Sequence, residues 1–111
     1  MPDASDAIVV LTTVEKPDDG ERLARALVES ELAACIQILP RMLSIYRWQG
    51  NIEQASEILL LIKTTLASFP RLEIVIKENH PYDVPEIIAL PVEAGSSEYL
   101  NWLTSSVKTH F

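Results

Sequence analysis

The chain has 111 residues, 48% of them apolar and 23% charged, with a formal net charge of −7. That is the length of one domain with one real core, and the composition excludes both a disordered chain and a membrane protein. The acidity argues against nucleic acid and anionic lipid as partners, since both need a basic face, and is compatible with cations.

The opening "MPDASDAIVV" has no basic segment ahead of its apolar run, so no secretory leader is expected and a cytoplasmic protein is. No apolar stretch reaches the roughly 20 residues of a membrane span. Residues 7–14, "AIVVLTTV", are β-branched and apolar and predict a strand. Asp18 or Asp19 can cap a helix that runs to about Glu31, with Leu23, Ala26 and Leu27 at helical spacing. From Ala33 to Trp48 the chain reads extended, with Ile36 and Ile38 on one face, Cys35 and Gln37 on the other, and a bend or edge at Pro40. Gly50-Asn51 predicts a turn, and "NIEQASEILLLIKTT" returns as a long strand.

Residues 66–78 fit both a helix and an alternating strand; a helix is expected, capped by Ser68 with Pro70 in its first turn. "EIIALPV" predicts a last strand. "SSEYLNWLTSSV" predicts a closing helix capped by Ser96 or Ser97, with Tyr99 and Trp102 in the core. The order β-α-β-β-α-β-α gives an α+β fold: a ferredoxin-like βαββαβ antiparallel sheet with helices on one face, plus a C-terminal helix, in one domain over 1–111.

Two features imply that the subunit is incomplete alone. "AIVVL", "EILLLI" and "EIIAL" are continuous apolar runs, which require cover on both sheet faces. The hairpin over 33–64 would span about 45–50 Å if straight, too long for a compact domain, and its edges invite a partner strand. Strand pairing between copies of the chain is therefore expected.

Candidate chemistry centres on "NHPYDVPE" at 79–86. His80 offers an imidazole, the commonest copper and zinc ligand, with Asp83 and Glu86 near in sequence. The same residues also suit a stiff corner set by Pro81 and Pro85, with His80 bonded to backbone. Cys35, the only cysteine, excludes an intrachain disulfide. It is either a soft copper ligand or a small buried hydrophobe. Lys63 could bind an anion, pair with Glu86, or end a solvated strand. Tyr46 and Trp48 could line a pocket or anchor an interface. With three glycines and no nucleophile motif, neither a phosphate loop nor an enzyme is expected, and no organic cofactor.

"LAAC" at 32–35, "SIYRWQG" at 44–50, "LLLIKTT" at 59–65, "HPYDVPEIIALPV" at 80–92 and "YLNWL" at 99–103 occur in the order and spacing of the CutA divalent-cation tolerance family. The resemblance spans residues 7 to 107. It implies a PII-like homotrimer, hairpins paired between subunits, and a cleft at each boundary near Tyr46, Trp48, Lys63, His80, Tyr82 and Glu86. It also implies a link to copper or another divalent cation. Some members use a cysteine at the end of the first strand and a His-His pair before the proline as copper ligands. Those positions here hold Thr12, Asn79 and His80, and Asp83 stands where many members have glutamate. Two functions follow: divalent-cation binding at His80, Cys35, Asp83 and Glu86, or a PII-like signalling module that holds a small anion or protein partner near Lys63.

Overall fold

The computed structural model describes residues 6–108. Strand β1 (Ala7–Val14) leads into helix α1 (Pro17–Glu29), then β2 (Cys35–Ile38), β3 (Met42–Trp48) and β4 (Asn51–Thr65). A short 3-10 turn, Leu66–Ser68, precedes α2 (Phe69–Asn79); β5 (Ile88–Pro91) and α3 (Ser97–Ser105) complete the order. Every strand pairing is antiparallel, in the order β2-β4-β1-β5, and β3 pairs with the outer half of β4. The extended segment is thus broken at 39–41, around Pro40, where the bend was expected.

The long axis is set by β4. Its 15 residues would reach about 50 Å straight, and the molecule measures 47 × 25 × 23 Å. The β3–β4 hairpin turns on Gln49-Gly50, not on Gly50-Asn51. Gln49 (φ 51°) and Gly50 (φ 84°) both take positive φ, as a two-residue turn matched to strand twist requires. Asn51 already pairs with Trp48.

Alternation in β1 and β4 sorts the side chains onto two faces. Ile8, Val10 and Val14 lie beside Thr64, Ile62 and Ile58 in register, and pack with Leu23 and Leu27 of α1 and Leu72 and Ile76 of α2. Gly20 allows α1 this close approach, since a Cβ there would meet Val14 Cγ2 at 3.1 Å. The opposite face carries Val9, Leu11, Leu59 and Leu61, all half-buried, with Ile88 and Leu90 more exposed beside them.

The helices do not all share one face. Leu100 and Leu103 of α3 pack on Ala7, which points away from the α1–α2 core. Residue parity decides this: Ala7 falls in phase with Val9, not Ile8. Tyr99 and Trp102, expected in the core, are 41% and 46% exposed, and their rings meet at a tilt of 44° with centres 5.4 Å apart. The buried stripe of α3 runs one residue later than they do.

The helix caps differ from expectation in two of three cases. Lys16 is the N-cap of α1, with Pro17 in its first turn and Asp18 and Asp19 placed to favour the positive end of the helix dipole. Ser68 occupies the N-cap of α2 without capping it; its hydroxyl donates to the Lys108 carbonyl at 3.1 Å. Ser96 caps α3, accepting from the Tyr99 N–H at 3.2 Å.

Candidate functional site

The corner after α2 is held by His80. The Tyr82 N–H donates to His80 Nδ1 at 3.1 Å, so the ring proton sits on Nε2 and is donated to the Thr13 carbonyl at 2.7 Å. The His80 and Tyr82 rings lie 4.7 Å apart. Both imidazole nitrogens are therefore engaged, and the histidine fixes residues 80–86 against the end of β1.

That anchorage aims Tyr82 across the open sheet face. Its hydroxyl donates to Glu57 Oε2 at 2.9 Å. Glu57 is only 8% exposed. The phenol is pushed well above its ordinary 10.0, first by burial and then by its hydrogen bond to Glu57. It stays protonated and remains a donor throughout the neutral range.

Between this corner and the β3–β4 hairpin lies an open cleft of about 860 Å³. Glu15, Glu57, Asp83 and Glu86 supply its acids, and Tyr46, Trp48 and Tyr82 its rings. No lysine, arginine or histidine is among the lining residues. Among the described residues, none of the four acids forms an ion pair. Arg41 sits nearby, but its guanidinium donates to the Glu15 carbonyl at 3.2 Å and the Ser56 hydroxyl at 3.1 Å. Glu86 holds its proton more tightly than an ordinary glutamate, because of partial burial and then the charge of Glu57.

Of the residues expected at a site, the structure brings together Tyr46, Trp48, Tyr82, Asp83 and Glu86. Cys35 is not with them. It pairs in register with Lys63, which pairs with Val9, whereas His80 meets β1 at Thr13. Four residues of strand separate the two points, about 13 Å. Lys63 is also outside the cleft: its ammonium bonds the Tyr99 hydroxyl at 3.1 Å and lies 5.2 Å from that ring's centre. It does not pair with Glu86. Thr12 is fully buried on the helix-covered face, away from the cleft, and its hydroxyl has no hydrogen-bond partner. Among the described residues, no three His, Cys, Asp or Glu side chains gather closely enough to hold a metal ion.

Sequence reasoning missed Glu15 and Glu57. The signal for Glu57 was its phase. It precedes "ILLLIK" at the position that alternates with Leu59 and Leu61, so a strand over this segment points its carboxylate onto the apolar open face.

Comparison with known proteins agrees with the five segments found in the sequence. The family model described as CutA1 divalent ion tolerance protein matches residues 8–106. The divalent-cation tolerance protein CutA of Thermus thermophilus is 53% identical over 95 residues, covering 86% of this chain and 92% of that protein. The crystal structure of CutA1 from Oryza sativa superposes with a TM-score of 0.91 at 40% identity, covering 97% of this chain and all of that one. The periplasmic divalent cation tolerance protein CutA of Archaeoglobus fulgidus superposes with a TM-score of 0.88 at 33% identity, covering 92% and 99% of the two chains. A family model that matches residues 8–106, and the Thermus relative 53% identical over 92% of its own length, place this chain in the CutA1 divalent ion tolerance family.

Proposed function

We infer that the protein is a divalent-cation tolerance protein that takes hydrated divalent cations weakly in the cleft beside its hairpin, as a homotrimer of ferredoxin-like subunits in a PII-like arrangement. One observation carries the cation reading: Glu15, Glu57, Asp83 and Glu86 converge on a single cleft with no basic side chain lining it. The donor set does not fit a tight copper site. His80 spends both ring nitrogens on the corner, Cys35 lies at the other end of the sheet, and no three ligands cluster among the described residues. It fits a cation that keeps most of its water and is held by charge, with the exposed Asp83 and Glu86 among the lining acids. An anionic ligand finds no counter-charge there, since Lys63 is bound to Tyr99 instead.

Assembly is supported by apolar surface that the subunit leaves exposed. Ile88 and Leu90 are 49% and 46% exposed, and Leu43, Ile45 and Ile52 of the hairpin are each more than 60% exposed. Ile88 and Leu90 lie on the open face, whereas alternation puts Leu43, Ile45 and Ile52 on the other face of the hairpin, beyond the helices, so exposed apolar side chains on both faces and an unpaired hairpin edge are offered to another copy of the chain.

The test combines mass with a paramagnetic probe. Light scattering is expected to give the mass of three chains. Mn²⁺ is expected to broaden the ring signals of Tyr46, Trp48 and Tyr82, but not those of Tyr99 and Trp102, with a dissociation constant of about 10⁻⁴–10⁻³ M. Broadening at α3, or none in that range, would reject the cleft as the cation site. A single-chain mass would reject the trimer.

A further inference from the structure

Both hydrogen bonds of the His80 ring depend on its proton count. Nδ1 accepts from the Tyr82 N–H at 3.1 Å, and Nε2 meets the Thr13 carbonyl at 2.7 Å. A neutral imidazole has one donor and one acceptor nitrogen, so the pair of bonds requires His80 uncharged. A bond from the N–H of residue 82 back to the side chain of residue 80 is the turn that asparagine and aspartate commonly make. Here a histidine makes it, with a group that can take a proton.

Imidazole is the side chain whose ordinary charge change falls between about pH 5 and 8. A second proton goes to Nδ1 and leaves two N–H donors facing each other. The contacts of the ring respond differently to that charge. Nε2 remains a donor to Thr13, and a charged donor makes the stronger bond. The Tyr82 ring, its centre 4.7 Å away, tolerates a cation. The bond that folds the corner back on its first residue is the one that is lost.

That bond holds a wall of the cleft. Tyr82, Asp83, Val84 and Glu86 line it, and the Tyr82 hydroxyl reaches Glu57 at 2.9 Å. The other ionisable groups around the corner are mostly acids. Glu57 of β4, Glu15 after β1 and Tyr46 of β3 lie near enough for their charges to act on Tyr82. Arg41 is engaged by the Glu15 carbonyl and the Ser56 hydroxyl. α1 brings Asp18, and Asp19 paired with Arg22 at 2.9 Å; α2 ends with Glu78, and with Lys77 paired with Glu73 at 3.2 Å. None of these groups is an imidazole.

We propose that His80 is a pH-operated latch on the cleft wall. Uncharged, it holds residues 80–86 folded with Tyr82 on Glu57; protonated, it lets the Tyr82 N–H go and loosens that segment. The latch works whatever the cleft holds and does not rest on cation binding there.

The test is an NMR titration of the full chain from about pH 8 to about pH 5 without added metal. At the upper end the His80 ring nitrogens are expected to report a proton on Nε2. As the ring takes its second proton, the Tyr82 amide and ring signals are expected to move on the same curve. Protection of the Tyr82 amide against exchange should fall about tenfold, the worth of one hydrogen bond. His80→Asn keeps an acceptor for the Tyr82 N–H and cannot ionise, so its Tyr82 signals are expected to stay flat over the same range. The ring signals absent from that variant are those of His80, which separates them from His110. A His80 ring that titrates while Tyr82 stays still would overturn the latch, as would a ring that stays uncharged throughout. A Tyr82 transition that persists in His80→Asn would overturn it too. If that variant folds poorly, the wild type alone decides: Tyr82 following the side-chain carboxyl of Glu57 or Glu86, and not the His80 ring, overturns the proposal.

Discussion

The two ends of the open sheet face are treated differently by the same chain. At one end α3 folds over Ala7, its Leu100 and Leu103 exclude water, and Lys63 is matched to Tyr99. At the other end the β3–β4 hairpin runs on without cover, and a buried glutamate faces a cleft with no cation of its own. The first end is partly closed within the subunit, although Leu90, Tyr99 and Trp102 stay exposed there. The second presents exposed apolar side chains, rings and negative charge together, which is what the proposed cation binding and assembly draw on.

The largest effect that could break this contrast comes from adjacent residues of β4. Leu60 is fully buried between sheet and helices, while Leu61 points to the open face and is half-buried. Leu60→Ala is expected to lose about 2–5 kcal/mol at any protein concentration. Leu61→Ala is expected to lose about 1 kcal/mol or less in the isolated subunit, with a deficit that grows as protein concentration rises and copies associate. Thermal melts across a concentration series measure both. Equal, concentration-independent losses would mean that the open face is an ordinary core and the contrast between faces is false.

A smaller effect concerns the covered face itself. Thr12 Oγ1 is buried among apolar neighbours with no partner. Thr12→Val keeps the shape and removes the stranded hydroxyl, so a gain of about 1 kcal/mol is expected in chemical denaturation. A loss instead would show that the hydroxyl is satisfied in solution, and that this face is less dry than its packing implies.

How much of this was legible in the sequence depends on whether a residue acts locally or across strands. β1, the break at Pro40, the choice of helix for 66–78, which the structure forms over Phe69–Asn79, and a cap at Ser96 or Ser97, which Ser96 supplies, follow from patterns within a few residues. The side on which α3 lands does not, because it depends on how the chain after β5 crosses the sheet edge. The site shows the same division. The corner "NHPYDVPE" was visible, as was the alternative that His80 bonds backbone. Glu57 was hidden inside an apolar run, and it meets Tyr82 only because β4 and the corner converge from 25 residues apart. Lys63 and Glu86 looked like partners by charge, yet register sets them at opposite ends of the face.

The smallest effect sharpens the contrast at the acidic end through Glu86. Its folded-state affinity for a proton is raised above the ordinary 4.5, by burial and then by Glu57. The folded state therefore binds protons more tightly than the unfolded chain. Its contribution to stability is fully present below pH 4.5 and is lost as pH rises through the raised value. Gln at this position cannot ionise, so it escapes that loss. Glu86→Gln should match the wild type's melting temperature in acid and exceed it at neutral pH, by on the order of a few tenths of a kcal/mol because water screens an exposed side chain. Melts from acid to neutral pH test the sign. Wild type gaining on the variant as pH rises would mean that a cation within the protein or its assembly already neutralises Glu86, and that the cleft is less open to an outside cation than the opposite end is closed.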